Sequence, residues 1–224
     1  MITSQRLLQS FIVFGILYCT LSITGNETLT WYLKPLLLPF LFYAVVKSET
    51  FATKKWLLFA LLFSWIGDCI LLFADRGELY FISGLISFLI AHVLFILLFL
   101  RQKSGNKHFK KPLFWIGFIA IIFYLVSLLT FLLPTLGDLK MPVAIYAITI
   151  SVMLFISLQG TFNWENKAKY WVLIGALFFV ISDSILAFNK FNAPIHLASF
   201  WIMSTYLIAQ FCITYGILKM NKKK

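Results

Sequence analysis

Eight apolar runs, each 16 to 23 residues long, follow one another along the 224-residue sequence. A helix of about 20 residues spans the ~30 Å hydrocarbon core of a bilayer, and it bonds its own backbone polar groups, as lipid requires. The runs therefore predict an all-α integral membrane protein with eight transmembrane helices in a single domain, residues 1–224. The second run is the shortest, and its Pro35 and Pro39 predict an irregular start. The predicted spans are Leu7–Thr24, Trp31–Val46, Trp56–Ala74, Leu79–Leu100, Leu113–Leu133, Met141–Leu158, Tyr170–Phe188 and His196–Leu218.

The composition excludes a soluble globular domain. Hydrophobic residues make up 61% of the chain and charged residues only 12%, against about 25% charged residues in soluble domains. The net charge of +11 does not predict a nucleic-acid partner, because the basic residues lie in short loops and at the C-terminal tail. Cys19, Cys69 and Cys212 lie inside apolar runs without metal-binding spacing, so neither a metal site nor a cofactor is expected. The first run lacks the small residues of a signal-peptide cleavage site, and we expect it to be retained.

Lysine and arginine are distributed unevenly between the two sides of the predicted helices. Fifteen of the 19 lie on the side of both termini, and Lys34, Arg76, Lys140 and Lys190 lie on the other. Cytoplasmic loops of membrane proteins carry the excess of positive charge. We therefore expect both termini in the cytoplasm, an even number of spans, and a location in a cell membrane, specifically a bacterial inner membrane.

One short stretch occurs twice, as IGDCILLF at residues 66–73 and as ISDSILAF at residues 181–188. Each copy places one carboxylate, Asp68 or Asp183, beside small residues inside hydrocarbon. A carboxylate at membrane depth costs about 2.5–3.5 kcal/mol on insertion scales, so such residues are usually functional. The two copies lie 115 residues apart, each with two spans before it and one after. This spacing predicts a four-plus-four parallel internal repeat.

The predicted boundaries place the two aspartates at similar depth. Asp68 and Asp183 lie six and five residues before the outer ends of their spans, about 8–9 Å at 1.5 Å per residue. Lys34 enters its span from the same side. Two carboxylates that face one another in a poorly hydrated cleft favour one protonated and one ionised group, an acid and a base. The alternative is that each aspartate accepts hydrogen bonds from hydroxyl groups and helps its helix to pack.

Four further polar side chains are candidates for binding. His92 lies deeper, on the fourth span, and is either an orienting partner or a hydrogen-bonded structural histidine. Tyr206 and Gln210 are four residues apart on one helical face, where they would hold a substrate head group or bond neighbouring helices. Asn189 lies near the outer interface, where ordinary solvation is the alternative. The sequence contains no serine-hydrolase, zinc-protease or phosphate-loop motif, so an enzyme would work with carboxylates and water.

Short motifs in five of the predicted spans match one known family. They are KP at 34–35, GD at 67–68, GLISF at 84–88 with AH at 91–92, GALFFVISDS at 175–184 with NKF at 189–191, and Tyr206 with AQ at 209–210. This combination resembles the YhhN family of integral membrane proteins, the lysoplasmalogenase family. The motif in the seventh span is the most specific, and together the motifs cover most of the chain.

The resemblance implies a membrane hydrolase that cleaves the vinyl ether bond of a lysophospholipid, a lysoplasmalogen, without a metal. Asp68 and Asp183 would then act as general acid and as base and cation stabiliser; Asp183 is our choice for the acid, although the sequence does not distinguish them. Lys34, Tyr206 and Gln210 would bind the head group, with His92 as an orienting partner and Asn189 as a further substrate contact.

A proton-coupled transporter of lipids or small molecules is the competing class. Parallel repeats with matched carboxylates inside spans also occur in such carriers, which bind and release protons without cleaving a bond. The release of a fatty aldehyde distinguishes the two, because a carrier produces none.

Overall fold

The computed structural model describes residues 3–105 and 112–222. Within these residues the chain forms eight long α-helices and three one-turn 3-10 helices, at Ala74–Arg76, Leu133–Thr135 and Gly137–Leu139, and no strand. The all-α prediction is confirmed. The helices are α1 (Ser4–Ile23), α2 (Glu27–Val46), α3 (Lys54–Leu71), α4 (Glu78–Leu100), α5 (Pro112–Leu132), α6 (Lys140–Asn163), α7 (Lys169–Phe191) and α8 (Ala198–Met220).

Seven of these eight helices are long and apolar enough to cross a membrane. The exception in the described part of the chain is α3, whose 18 residues include Lys54, Lys55 and Asp68. A multi-pass membrane protein is confirmed, whereas the count of eight spans and the side of the termini stay predictions. Five of the lysines counted for the orientation lie outside the described residues: Lys107, Lys110, Lys111, Lys223 and Lys224. His108 lies outside them as well.

Several helix boundaries differ from the sequence prediction, among them one each in α2, α3 and α8. The helix α2 begins at Glu27, because the Asn26 side chain caps it by accepting from the Leu29 N–H at 3.2 Å, and it then runs continuously through both prolines. The helix α3 ends at Leu71, three residues early, and α8 begins two residues after His196.

These boundaries change the positions of the two aspartates along their helices. Asp68 lies three residues from the end of α3 and Asp183 lies eight residues from the end of α7. The predicted distances were six and five residues. Asp75 lies outside α3, in the 3-10 helix that follows it.

The chain divides into two compact units. The first contains α1, α2, α3 and α4 up to Leu98, and the second contains Phe99–Met220 with α5 to α8. In the first unit α2 packs between α1 and α3. The helices α3 and α4 are joined by the Ser87 hydroxyl, which donates to the Phe63 carbonyl at 2.6 Å.

In the second unit α7 and α8 pack closely against each other. Glycines allow their backbones to approach: a Cβ on Gly175 would lie 2.8 Å from the Ala209 carbonyl oxygen and 2.8 Å from the Ile213 nitrogen. The Ser182 hydroxyl also donates to the Ile202 carbonyl across this contact, at 2.9 Å. Small residues replace hydrophobic burial as the basis of helix association in lipid, so this crossing holds α7, and with it Asp183, in place.

We expect Gly175→Ala to destabilise the protein by about 1–3 kcal/mol, because backbone atoms of α8 cannot yield without separating the helices. The matched control is Gly117→Ala, where the nearest atom to an added Cβ is a terminal methyl of the flexible Leu158 side chain, at 2.8 Å. Both changes add the same helix propensity, about 1 kcal/mol. Thermal unfolding in detergent measures the difference, and equal shifts for the two variants would contradict the backbone explanation.

Candidate functional site

The first unit places a lysine beside the buried aspartate of α3. The Lys34 Nζ lies 3.9 Å from the Asp68 Oδ1, and the two side chains are 15% and 4% exposed. This distance exceeds that of a hydrogen bond, so the contact is an ion pair. Lys34, which was expected to enter its span from the side on which the aspartates lie, is thus next to Asp68; its role in substrate binding stays a prediction.

A tryptophan on α3 compensates for a proline on α2 next to this pair. Pro39 has no N–H, and it therefore cannot bond the carbonyl of Pro35 four residues earlier. The Trp65 Nε1–H donates to that carbonyl instead, at 2.7 Å. Pro35 follows Lys34 directly, and Trp65 lies one helical turn before Asp68. The bond therefore holds α2 and α3 together at the level of the ion pair.

Small residues bring α4 close to the same aspartate. A Cβ on Gly67, the residue before Asp68, would lie 2.7 Å from two ring carbons of Phe88. His92 lies one turn after Phe88 on α4 and is fully buried. Ser64 lies one turn before Asp68, and its buried hydroxyl has no hydrogen-bond partner among residues 3–105 and 112–222. A buried hydroxyl without a protein partner is typical of a position that holds water or a ligand.

In the second unit a tyrosine contacts the other aspartate. The Tyr146 hydroxyl, from α6, donates to the Asp183 Oδ2 at 2.6 Å. Asp183 is partly buried and Tyr146 is buried. Sequence reasoning missed Tyr146. The available signal was its place in the middle of an apolar span, because tyrosines at membrane interfaces lie near span ends.

A second tyrosine lies next to this contact. The Tyr124 hydroxyl of α5 is 2.7 Å from the Ser184 Oγ. Ser184 uses its own O–H to donate to the Val180 carbonyl at 2.6 Å, so Tyr124 is the donor to Ser184. Residues 183 and 184 are thus bonded to two tyrosines from two different helices.

The remaining candidates lie on α7 and α8. Tyr206 is buried, with its ring 5.5 Å from that of Phe179 in an edge-to-face contact. Gln210 is fully buried, and neither of its amide atoms has a hydrogen-bond partner in the described part of the chain. The Asn189 side chain accepts from the Ile195 N–H at 2.9 Å and so shapes the turn before α8. Their roles in substrate binding stay predictions.

The described residues contain no group of three or more His, Cys, Asp or Glu side chains that could hold a metal ion. The candidate site residues carry carboxylates, phenols, hydroxyls, an amide and one ammonium group. These groups can donate, accept and transfer protons, and the lysine can bind an anion.

The helices and the polar side chains within them define a multi-pass, all-helical membrane protein with carboxylates inside its spans. Comparison with known sequences identifies the family to which the chain belongs. The chain belongs to the YhhN family, whose profile matches residues 29–217. No solved structure matches the chain significantly.

Several relatives share a name. The human Lysoplasmalogenase TMEM86A is 28% identical over 174 residues, 72% of this chain and 65% of that protein. The human Lysoplasmalogenase TMEM86B is 32% identical over 162 residues, 71% of this chain and 62% of that protein. A Lysoplasmalogenase of Mycobacterium bovis is 28% identical over 201 residues, 87% of this chain and 72% of that protein. The match thus spans slightly less than two thirds of the human relatives.

We expect Trp65→Phe to lower stability by about 1–3 kcal/mol, because the Pro35 carbonyl then loses its donor inside the membrane. Pro39→Ala supplies a backbone N–H at the position from which α2 itself can bond that carbonyl. The double variant should therefore recover most of the loss, which thermal unfolding of all four proteins in detergent would reveal. Additive effects of the two changes would show that the tryptophan acts by packing rather than through its N–H.

Proposed function

We propose that this protein is a membrane hydrolase that cleaves the vinyl ether bond of lysoplasmalogens and releases a fatty aldehyde and a glycerophospho head group. The observation that carries the proposal is the pair of contrasting carboxylates: Asp68 beside the Lys34 ammonium and Asp183 bonded to the Tyr146 phenol. The family and the shared name of the relatives support the same substrate class.

The chemistry needs an acid and a base. Protonation of the vinyl ether at its β-carbon produces an oxocarbenium ion, whose positive charge is shared between the α-carbon and the ether oxygen. Water attacks the α-carbon and gives up a proton to the base, which leaves a hemiacetal. The hemiacetal then breaks its bond to the glycerol oxygen, which takes a proton, and the aldehyde is released. A carboxylic acid, and a carboxylate that stabilises the cation and accepts the proton of water, suffice for these steps.

The surroundings of each aspartate support a division of roles. The Lys34 ammonium lies 3.9 Å from Asp68, whereas Asp183 accepts a hydrogen bond from the neutral Tyr146 phenol. We assign water activation and cation stabilisation to Asp68, which lies beside a charged group, and proton donation to Asp183.

Lys34 is the first candidate for the head group. Its side chain remains 15% exposed, and an ammonium group attracts a phosphate as well as a carboxylate. Gln210 offers two amide atoms that no described residue bonds, while Tyr206, His92 and Asn189 are further contacts. We propose that no metal takes part, so that a chelator leaves the rate unchanged.

Either Asp68→Asn or Asp183→Asn should lower the rate of aldehyde release by at least about a hundredfold, because an amide neither donates nor accepts the required proton. Tyr146→Phe should cause a smaller loss, since it removes one hydrogen bond to Asp183 and leaves the carboxyl group. The assay uses purified protein in detergent with ethanolamine and choline lysoplasmalogens, with and without a chelator.

The matched control is Asp75→Asn, an exposed carboxylate outside α3, which should retain full activity. Thermal unfolding confirms that each variant is folded. If folded wild-type protein releases no aldehyde from either lipid, the hydrolase proposal is wrong, and proton-driven uptake into liposomes becomes the function to test. Inhibition by the chelator would overturn the metal-free mechanism alone.

We propose that both termini lie in the cytoplasm of a bacterial cell, in its inner membrane. A fluorescent protein fused after residue 222 should then fluoresce, and alkaline phosphatase fused there should be inactive. Fused after Arg76, between α3 and α4, the two reporters should give the opposite results. The reverse pattern at both sites would invert the topology.

A further inference from the structure

The second unit contains an apolar groove with a volume of about 640 Å³ between α5, α6 and α7. Its α7 wall is a helical stripe from Leu173 through Leu177 to Phe188, faced by Ala120 of α5 and Leu158 of α6. We call it the α5–α7 groove. Two hydroxyl-bearing residues, Tyr124 and Ser184, are among the residues that line it, and its surface is almost entirely apolar.

Ser184, one of the residues that line the groove, follows the candidate acid Asp183 in sequence. The Tyr124 hydroxyl, from α5, donates to the Ser184 Oγ at 2.7 Å. A bound molecule can therefore keep its reacting, oxygen-bearing end near Asp183 while its hydrocarbon fills the rest of the groove.

The length of the groove suits one lipid chain. Ser184 and Leu173 are 11 residues apart on α7, which is about 16 Å at 1.5 Å per residue. One leaflet of hydrocarbon is ~15 Å deep, half of the ~30 Å core. A transmembrane helix, ~10–12 Å across, is too wide to enter a groove of this volume over that length. The volume lies within the range of about 300–1,000 Å³ of small-ligand sites.

We propose that the α5–α7 groove binds the single hydrocarbon chain of the lysolipid, between Ser184 and Leu173, and presents the chain's vinyl ether end to Asp183. This inference rests on the proposed hydrolase function. It adds that the groove sets which lengths of hydrocarbon chain the enzyme accepts. A groove of this volume has room for one chain, which would favour a lysolipid over a lipid with two chains.

The test narrows the groove at one position. Ala120 lines it one turn before Tyr124, whereas its neighbour Ile119 does not line it and is 64% exposed. Ala120→Phe should lower kcat/KM for a long-chain lysoplasmalogen at least tenfold, because the added ring occupies space in the groove that a long chain would fill. A short-chain substrate with the same head group should be cleaved within twofold of the wild-type rate. Ile119→Phe should change neither value.

A second measurement does not depend on activity. A lysolipid with a diazirine at the end of its chain, photolysed with the inactive Asp183→Asn protein, should label the α7 segment around Leu173 and Leu177. Ala120→Phe should reduce this labelling, and Ile119→Phe should not.

Each outcome decides one question. Labelling of the groove without aldehyde release from the wild type would support the groove and overturn the hydrolase function. Aldehyde release with unchanged chain-length ratios, or labels spread evenly over lipid-facing helices, would support the hydrolase and overturn the groove as its chain-binding site.

Discussion

Lipid offers no water to an unpaired backbone group, and this constraint shapes the site of the first unit. Pro39 leaves the Pro35 carbonyl without its helical donor, and the Trp65 indole supplies one at 2.7 Å. The bond joins α2 to α3 immediately beside Lys34 and one turn from Asp68. An ion pair inside a membrane requires partners held at a defined distance. Here the indole N–H, which replaces the hydrogen bond that Pro39 cannot make, holds the two helices in position.

The two repeated aspartates have unlike surroundings, although the sequences around them are similar. Asp68 faces an ammonium group and is almost fully buried, whereas Asp183 accepts from a phenol and is partly buried. A catalyst that protonates a carbon and then deprotonates water needs one carboxylic acid and one carboxylate, and unlike surroundings distinguish the two groups. The two aspartates lie in similar sequence segments but make different contacts, and this difference supports the different roles proposed for them.

The sequence predicted the helices well and the contacts poorly. Runs of about 20 apolar residues leave few alternatives to a helix in lipid, so errors were confined to ends, such as the early stop of α3 at Leu71. Lys34 and Asp68 were expected to share a site because both are charged inside spans. Tyr146 and Tyr124 were missed, since they lie 37 and 60 residues from their partners and nothing in the pattern of α5 or α6 marks the face that meets α7.

Composition and charge alone determined that this chain is an all-helical membrane protein, and they singled out the carboxylates at positions 68 and 183 as candidates for function. Whether a run of residues enters the hydrocarbon of the membrane depends on the residues in that run alone. A charged residue inside such a run is unusual, and it can therefore be recognised from the sequence. The tertiary structure decided what each carboxylate contacts, and it formed the groove beside Asp183. Those features depend on how each helix is rotated about its axis and how closely its neighbours approach. Side chains far apart in sequence, together with glycines such as Gly175, set both.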